Sequence, residues 1–390
     1  MPMWSQPPPP PSSLQLRRPP PPLPHRPRRL RSRLSPIAAS QDPLTALSRL
    51  LWGRALPPSQ LVLAVRHGWT AAWGLLMRQL APSDPATGAF TRTPSRFPAV
   101  VGTPSARLHL YVGLPCPWAH RALLVRALLG LERRLPLSVA VPGDDGAWSF
   151  TPDSPDALYG KRKLREVYAS ARRGGFEGRA SVPLLWDAER REVVCNESIE
   201  IAKFLCDLAA ADGSAGGLDL WPPELRQDID RWCGFAQSQE AYDAAAGELF
   251  AALDRLEDHL SGSRYLCGDT LTLADVCLFT TLVRFDLVYH SLFRCTRRKL
   301  VEYASLHAYT RDIYQMPGVA GTCDMAAIAD GYFGALFPLN PGGILPLVPA
   351  SCSPEALLEP HGREALSSSA AADAGGGGNG RQLEATSASN

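Results

Sequence analysis

Residues 113 to 122 read GLPCPWAHRA and follow the short apolar run RLHLYV (residues 107–112). The run, bounded by turn residues, has the character of a strand, and Ala119 to Gly130 recurs at helical spacing. A strand therefore hands over to a helix through a turn that holds Cys116 between Pro115 and Pro117. Pro117 suits the first helical turn, because the N–H it lacks would have no intrahelical partner there. Downstream, LPLSVAV (135–141) reads as a strand. SVPLLWD (181–187) and REVVC (191–195) read as a hairpin, and SIEIAKFLCDLAA (198–210) as a helix. The order is β-α-β followed by β-β-α. A long irregular insert, 143–180, lies where a second crossover helix would normally stand.

This pattern covers residues 106–210 and ends in a Gly/Pro-rich boundary, of which 211–223 is the linker. From 224 to 349 no strand signal occurs; helical periodicities cover 242–260, 273–289, 297–314 and 322–331, so the second domain is expected to be all helix. Upstream, 43–105 reads as a helical extension. It has two pieces broken at Pro57 and Pro58, and Leu61, Ala64, Val65, Gly68, Ala72 and Leu75 are spaced to pack on the body. The segment 350–390 is of low complexity and is expected to be unstructured.

Residues 1–42 are a separate object. The first 40 contain seven arginines, 13 of the chain's 37 prolines and no acidic residue, and without them the formal charge of +2 becomes −5. Such a segment is expected to be disordered, with the composition of an organelle transit peptide, chloroplast or mitochondrial. The 390-residue chain as a whole is 45% hydrophobic and nearly neutral. It lacks the basic field that non-specific nucleic-acid binding needs. No stretch approaches the ~20 apolar residues that cross a bilayer, so a soluble protein without nucleic-acid or membrane partners is expected. Nine cysteines without paired short spacings point to neither a disulfide framework nor a metal site. Most are expected to be small buried hydrophobes.

Cys116 is the exception. The turn before a helix offers free N–H groups and the positive end of the helix dipole, which can bring a cysteine pKa from about 8.5 into the range of roughly 3.5 to 7.5. A dithiol motif would place a second cysteine three residues on, where Ala119 stands. A mixed disulfide on Cys116 would need an external thiol to resolve it, which points to glutathione as co-substrate. Val182 and Pro183 open the first hairpin strand. In a cis bond Val182 would offer its backbone to a peptide ligand; an ordinary edge-strand proline fits the residues as well. Glu197 and Ser198 stand at the mouth of the next helix, with Ser198 as N-cap. Together they would hold an amino-acid head group, and singly each is a cap. Thr272 and Asp275 form a structural capping box, Arg284 and Asp286 a structural ion pair, and Tyr289 a core or interface aromatic.

The motifs CPWAHR, VPLLWD, CNES, LTLADVCLFTTLVRFDLVY, RDIYQMPGVA and LNPGGILP, in this order over about residues 43–350, resemble the glutathionyl-hydroquinone reductases, the Xi class of glutathione transferases, and most of all their plant chloroplast members. The resemblance implies an α/β thioredoxin-like N-terminal domain plus an all-α C-terminal domain, the glutathione transferase fold, in a homodimer. It implies glutathione-dependent reduction of glutathionyl-hydroquinones to hydroquinones, with aromatic glutathionyl conjugates as ligands. An omega-class or dehydroascorbate-reductase-like thiol oxidoreductase shares the monothiol cysteine. Residue by residue, Cys116 resembles the nucleophile; Val182, Pro183, Glu197 and Ser198 resemble glutathione contacts; and Trp148 resembles the aromatic that covers the peptide. Tyr332 resembles one of a tyrosine pair at the hydroquinone pocket, its partner being Phe333 here, so one hydroxyl is expected. The chain also lacks a helical segment that family members carry between RQDIDRW (226–232) and CGFAQSQEAYD (233–243). That segment supplies another pocket tyrosine in those members, and a catalytically impaired isoform acting as a binding or dimer partner is the alternative that its loss opens.

Overall fold

The computed structural model describes residues 58–80, 95–143, 145–172, 176, 178–213, 218–220, 239–336 and 339–367. The acid-free head, the first helical piece of the extension, the missing-segment junction at 226–238 and the tail from 368 lie outside the described residues. The chain divides into two units, Met1–Gly68 and Trp69–Asn390. Of the first, the structure describes the start of helix α1 (Ser59–Leu80). The helix forms as its periodicity predicts. Leu75, in the second unit and expected to pack, is instead exposed. Spacing decides that a helix forms, not that its apolar face is covered.

The second unit is built on a four-stranded sheet of order β2-β1-β5-β6. β1 (Leu108–Val112) pairs parallel with β2 (Leu137–Val139) and antiparallel with β5 (Leu184–Asp187), which pairs antiparallel with β6 (Glu192–Cys195). Helix α2 (Pro117–Leu128) makes the crossover between the parallel strands. The insert, expected to be irregular, holds β4 (Trp148–Ser149), which pairs antiparallel with β3 (Val141–Pro142) just before it, and a six-residue helix α3 (Leu164–Ala169). The Asp156 carboxylate organises it, accepting the N–H groups of Leu158, Tyr159 and Lys161 and the hydroxyl of Tyr111 on β1. Helix α4 (Ser198–Asp212) packs on α2, and Leu110, Leu124, Leu184, Trp186, Ile201 and Leu205 form the centre of the core.

Beyond the boundary come α5 (Gln239–Gly262), α6 (Leu273–Leu282), α7 (Ala304–Tyr314) and α8 (Met325–Phe333). The capping box holds: Asp275 accepts the Thr272 N–H at 2.8 Å and also bonds Leu266 and Tyr309. The expected single helix over 273–289 is interrupted, because α6 passes into a π-helical segment, Phe285–Tyr289. Helix α2 packs on α6, which joins the sheet domain to the helical one. Among the described residues no helix is long and apolar enough to cross a membrane.

The C-terminal expectation is corrected. Residues 350–367 are ordered, with 3-10 turns at Ala350–Cys352 and Arg363–Leu366 around a short helix, α9 (Pro354–Leu357). Cys352 and Leu357 are buried, and buried Arg363 donates to the carbonyls of Leu260, Ser263, Arg264 and Ser305. Those acceptors offset the cost of burying its charge.

Candidate active site

Three junctions of the chain come together because strand register requires it. Tyr111 stands opposite Leu184, and Leu185 opposite Cys195. The chain leaving β1, the chain entering β5 and the chain leaving β6 therefore lie side by side at one end of the sheet. They carry Cys116, Val182 with Pro183, and Glu197 with Ser198.

Cys116 is the N-cap of α2 in extended conformation (φ −74°, ψ 117°), followed by Pro117 at the first helical position. Its N–H donates to the Gly113 carbonyl at 2.9 Å, and its half-buried thiol points at the Val182 carbonyl, 3.6 Å away. The Val182–Pro183 bond is cis. Asn196 donates to Ser181 Oγ at 3.2 Å, tying the entrance of α4 to the same strand start. Glu197, not Ser198, occupies the N-cap of α4; Ser198 is its first helical residue and is buried. The shift of one position keeps the Ser198 N–H among the groups that a helix start leaves unbonded. Trp148 comes to the same place from the insert, packing on Gly113: a Cβ built there would fall 2.4 Å from the indole.

The helical domain supplies the opposite wall. Gly331 of α8 lies so close to the cysteine turn that a Cβ on it would fall 2.0 Å from Pro115 Cγ. The next residue, Tyr332, places its hydroxyl 3.4 Å from that of Tyr289, with the rings edge to face and Phe293 stacked on Tyr289. Phe333 is buried in the core. Phe333 brings no hydroxyl, as expected, and Tyr289, at the end of the π segment, sets one beside that of Tyr332. Arg284 and Asp286 do not pair. Asp286 accepts the N–H groups of Leu300 and Val301, while Arg284 faces the cysteine turn.

Burial pushes the Cys116 thiol up, opposed by the N–H groups of Ala119 and Trp118 and by the cations Arg284 and Arg121. The expected influence of the helix start is present but does not outweigh desolvation, so a helix N-terminus by itself does not make this sulfur a thiolate. Burial also raises Tyr289 and Tyr332, Tyr332 well above the ordinary phenol value, so both stay protonated at neutral pH. Cys116, Cys195, Cys206, Cys295, Cys323 and Cys352 carry free thiols, and no cluster of metal-ligating side chains occurs among the described residues. A surface hollow of about 240 Å³, lined by Phe97, Asp187 and Glu192 among others, sits at the other end of β5 and is not part of this arrangement.

Residues 115–208 match the glutathione S-transferase N-terminal domain and residues 239–312 the glutathione S-transferase C-terminal domain. Glutathionyl-hydroquinone reductase YqjG of Escherichia coli is 40% identical over 303 residues, 73% of this chain and 87% of that protein. The corresponding reductase PcpF of Sphingobium chlorophenolicum is 39% identical over 272 residues, 65% of this chain and 86% of that one. The chain belongs to the glutathionyl-hydroquinone reductases, the Xi class of the glutathione transferases.

Solved structures of the reductase class agree with this. The glutathione-bound structure of YqjG matches with a TM-score of 0.62 at 40% identity, covering 71% of this chain and 94% of that one. The Xi-class transferase of Natrialba magadii matches with a TM-score of 0.62 at 38% identity, covering 70% and 86%. The residues of this Xi-class chain that stand out in the sequence, Cys116, Val182, Glu197, Ser198, Trp148 and Tyr332, are brought to one place by the fold, and Tyr289 and Arg284 join them there without a signal in the sequence.

Proposed function

We propose that this chain reduces glutathionyl-hydroquinones with glutathione, using Cys116 as a monothiol nucleophile. The observation that carries the reading is the Cys116 sulfur at a helix start, with the Val182 carbonyl 3.6 Å away and a tyrosine pair on the opposing domain. Attack of the Cys116 thiolate on the glutathionyl sulfur breaks the sulfur–aryl bond and forms a Cys116–glutathione disulfide. The aryl carbon leaves with the electron pair and takes up a proton to give the hydroquinone. A second glutathione thiolate displaces Cys116, releasing oxidised glutathione. Tyr332, supported by Tyr289, donates a hydrogen bond to the ring oxygen, a task for which a phenol that stays protonated is suited. The glutathione main chain pairs with Val182 beside Pro183. Its γ-glutamyl carboxylate sits at the Ser198 N–H, its ammonium meets Glu197, and Trp148 covers the peptide.

Turnover assays on a glutathionyl-hydroquinone, a mixed disulfide and dehydroascorbate test this. The first is expected to be fastest. Preference for either of the others would favour an omega-like thiol oxidoreductase, and glutathione binding without turnover an impaired isoform. Gly113→Ala tests the glutathione contacts separately. The added Cβ must push the Trp148 indole aside, so the KM for glutathione should rise roughly fivefold or more. Alkylation of Cys116 should be unchanged. Slowed alkylation with unaltered KM would contradict the role given to Trp148.

The enzyme works as a homodimer in the plastid stroma; support for the location comes from the seven arginines and absent acids of the first 40 residues. Uptake by isolated chloroplasts with removal of the head tests the location, and import by mitochondria alone would overturn it. Sedimentation equilibrium tests the dimer, which a monomer mass would exclude.

A further inference from the structure

Arg284 carries a charge that the reaction above leaves without a task. The residue is fully buried, and among the described residues none of its hydrogen bonds goes to a carboxylate. Buried cations are ordinarily paired, because leaving water costs them several kcal/mol. Here the guanidinium spreads over neutral acceptors from both domains. Nη1 donates to the Thr280 carbonyl at 2.7 Å and to His120 Nδ1 at 2.9 Å. Nη2 donates to the Leu114 carbonyl at 2.9 Å, and Nε to the Pro115 carbonyl at 3.2 Å. Leu114 and Pro115 are the two residues before Cys116, and the Pro115 carbonyl belongs to the peptide bond that Cys116 completes.

His120 does not share the charge. A guanidinium only donates, so His120 Nδ1 accepts and its Nε2–H is left to donate to Thr322 Oγ1, 2.8 Å away. The Thr322 hydroxyl in turn donates to the Val319 carbonyl at 2.7 Å. Burial, and then Arg284 itself, keep the imidazole far below its ordinary pKa, so it stays neutral. The positive charge therefore remains unbalanced beside the cysteine turn, and its field acts on the Cys116 sulfur. A lysine would keep the charge but not the planar fork that reaches acceptors on two domains.

We propose that Arg284 is the positioning residue of the Cys116 site: from the helical domain it clamps the 114–116 turn and stands as counter-charge to the thiolate. The proposal rests on the reading of Cys116 as the nucleophile. Peptide-resolved alkylation of Cys116 by iodoacetamide against pH, in the full chain, separates the two. In Arg284→Gln, which keeps donors and loses charge, the midpoint should rise by about one pH unit or more and the rate at pH 7 fall about tenfold. In Arg284→Lys the midpoint should stay within about half a unit of the parent. A Gln profile that superimposes on the parent, or a Lys shift as large as the Gln shift, overturns the proposal. If Arg284→Gln fails to unfold cooperatively, the Lys variant decides alone: a midpoint within that half unit upholds the counter-charge, and a larger displacement overturns it. A parent chain whose Cys116 resists alkylation at every pH refutes the nucleophile reading itself.

Discussion

Replacing Cys116 with serine should lower turnover on a glutathionyl-hydroquinone by on the order of 10³-fold or more. Glutathione affinity measured by calorimetry should change little. The sulfur is the atom that must carry the glutathionyl group between the two halves of the reaction, and a serine hydroxyl neither ionises near neutrality nor forms a disulfide. The surroundings that hold the ligand are backbone and side chains of other junctions, at Val182, Glu197 and Ser198, and none is disturbed by exchanging one atom. The two readouts should therefore part company. If turnover and affinity fell together, Cys116 would be a packing residue, and if neither fell, another thiol would be doing the chemistry.

Removing hydroxyls from the tyrosine pair is the second large effect. General acid assistance contributes typically 10²- to 10⁴-fold. The Tyr289 and Tyr332 hydroxyls are 3.4 Å apart and act through one hydrogen bond, so their losses should not multiply. Tyr332→Phe and Tyr289→Phe should each lower kcat about 30-fold, and the double variant by no more than about 10²-fold. Both rings keep their contacts with Phe293, stacked for Tyr289 and edge to face for Tyr332, so alkylation of Cys116 and binding of glutathione should persist. Because burial raises both phenols, the parent rate should rise with pH as the thiol ionises and show no alkaline fall until well above neutrality. A loss of kcat in the double variant equal to the product of the single losses would show two independent roles and refute the paired one.

The cysteine turn was legible because each of its features is local: a strand end, a proline suited to the first helical turn, and no second thiol at Ala119. Val182 and Ser198 were legible as types of group, yet their meeting depends on the pairings of Tyr111 with Leu184 and Leu185 with Cys195, which no single segment encodes. Tyr289 was hidden by the π segment. One extra residue in that turn rotates everything after it by about 100° relative to an α-helix, so a helical wheel drawn from Leu273 puts its ring on the wrong face. Arg284 lies just before that segment and Asp286 within it, so two near neighbours in sequence face different parts of the fold. The ordered stretch 350–367 has no period to detect. Its anchors are Cys352, Leu357 and an arginine held by carbonyls, and composition weighs such a segment as polar and unstructured. The exposed face of α1 errs in the opposite direction, since amphipathic spacing shows which side of a helix seeks cover and not what covers it.

The most direct test of the account is a single turnover without free glutathione, with the chain in excess over a glutathionyl-hydroquinone and the products resolved by peptide mass spectrometry. One equivalent of hydroquinone should be released and one glutathionyl group should appear on the peptide that carries Cys116, discharged as oxidised glutathione when glutathione is added. Hydroquinone released with Cys116 unmodified, or with the glutathionyl group on one of the other eight cysteines, would contradict it.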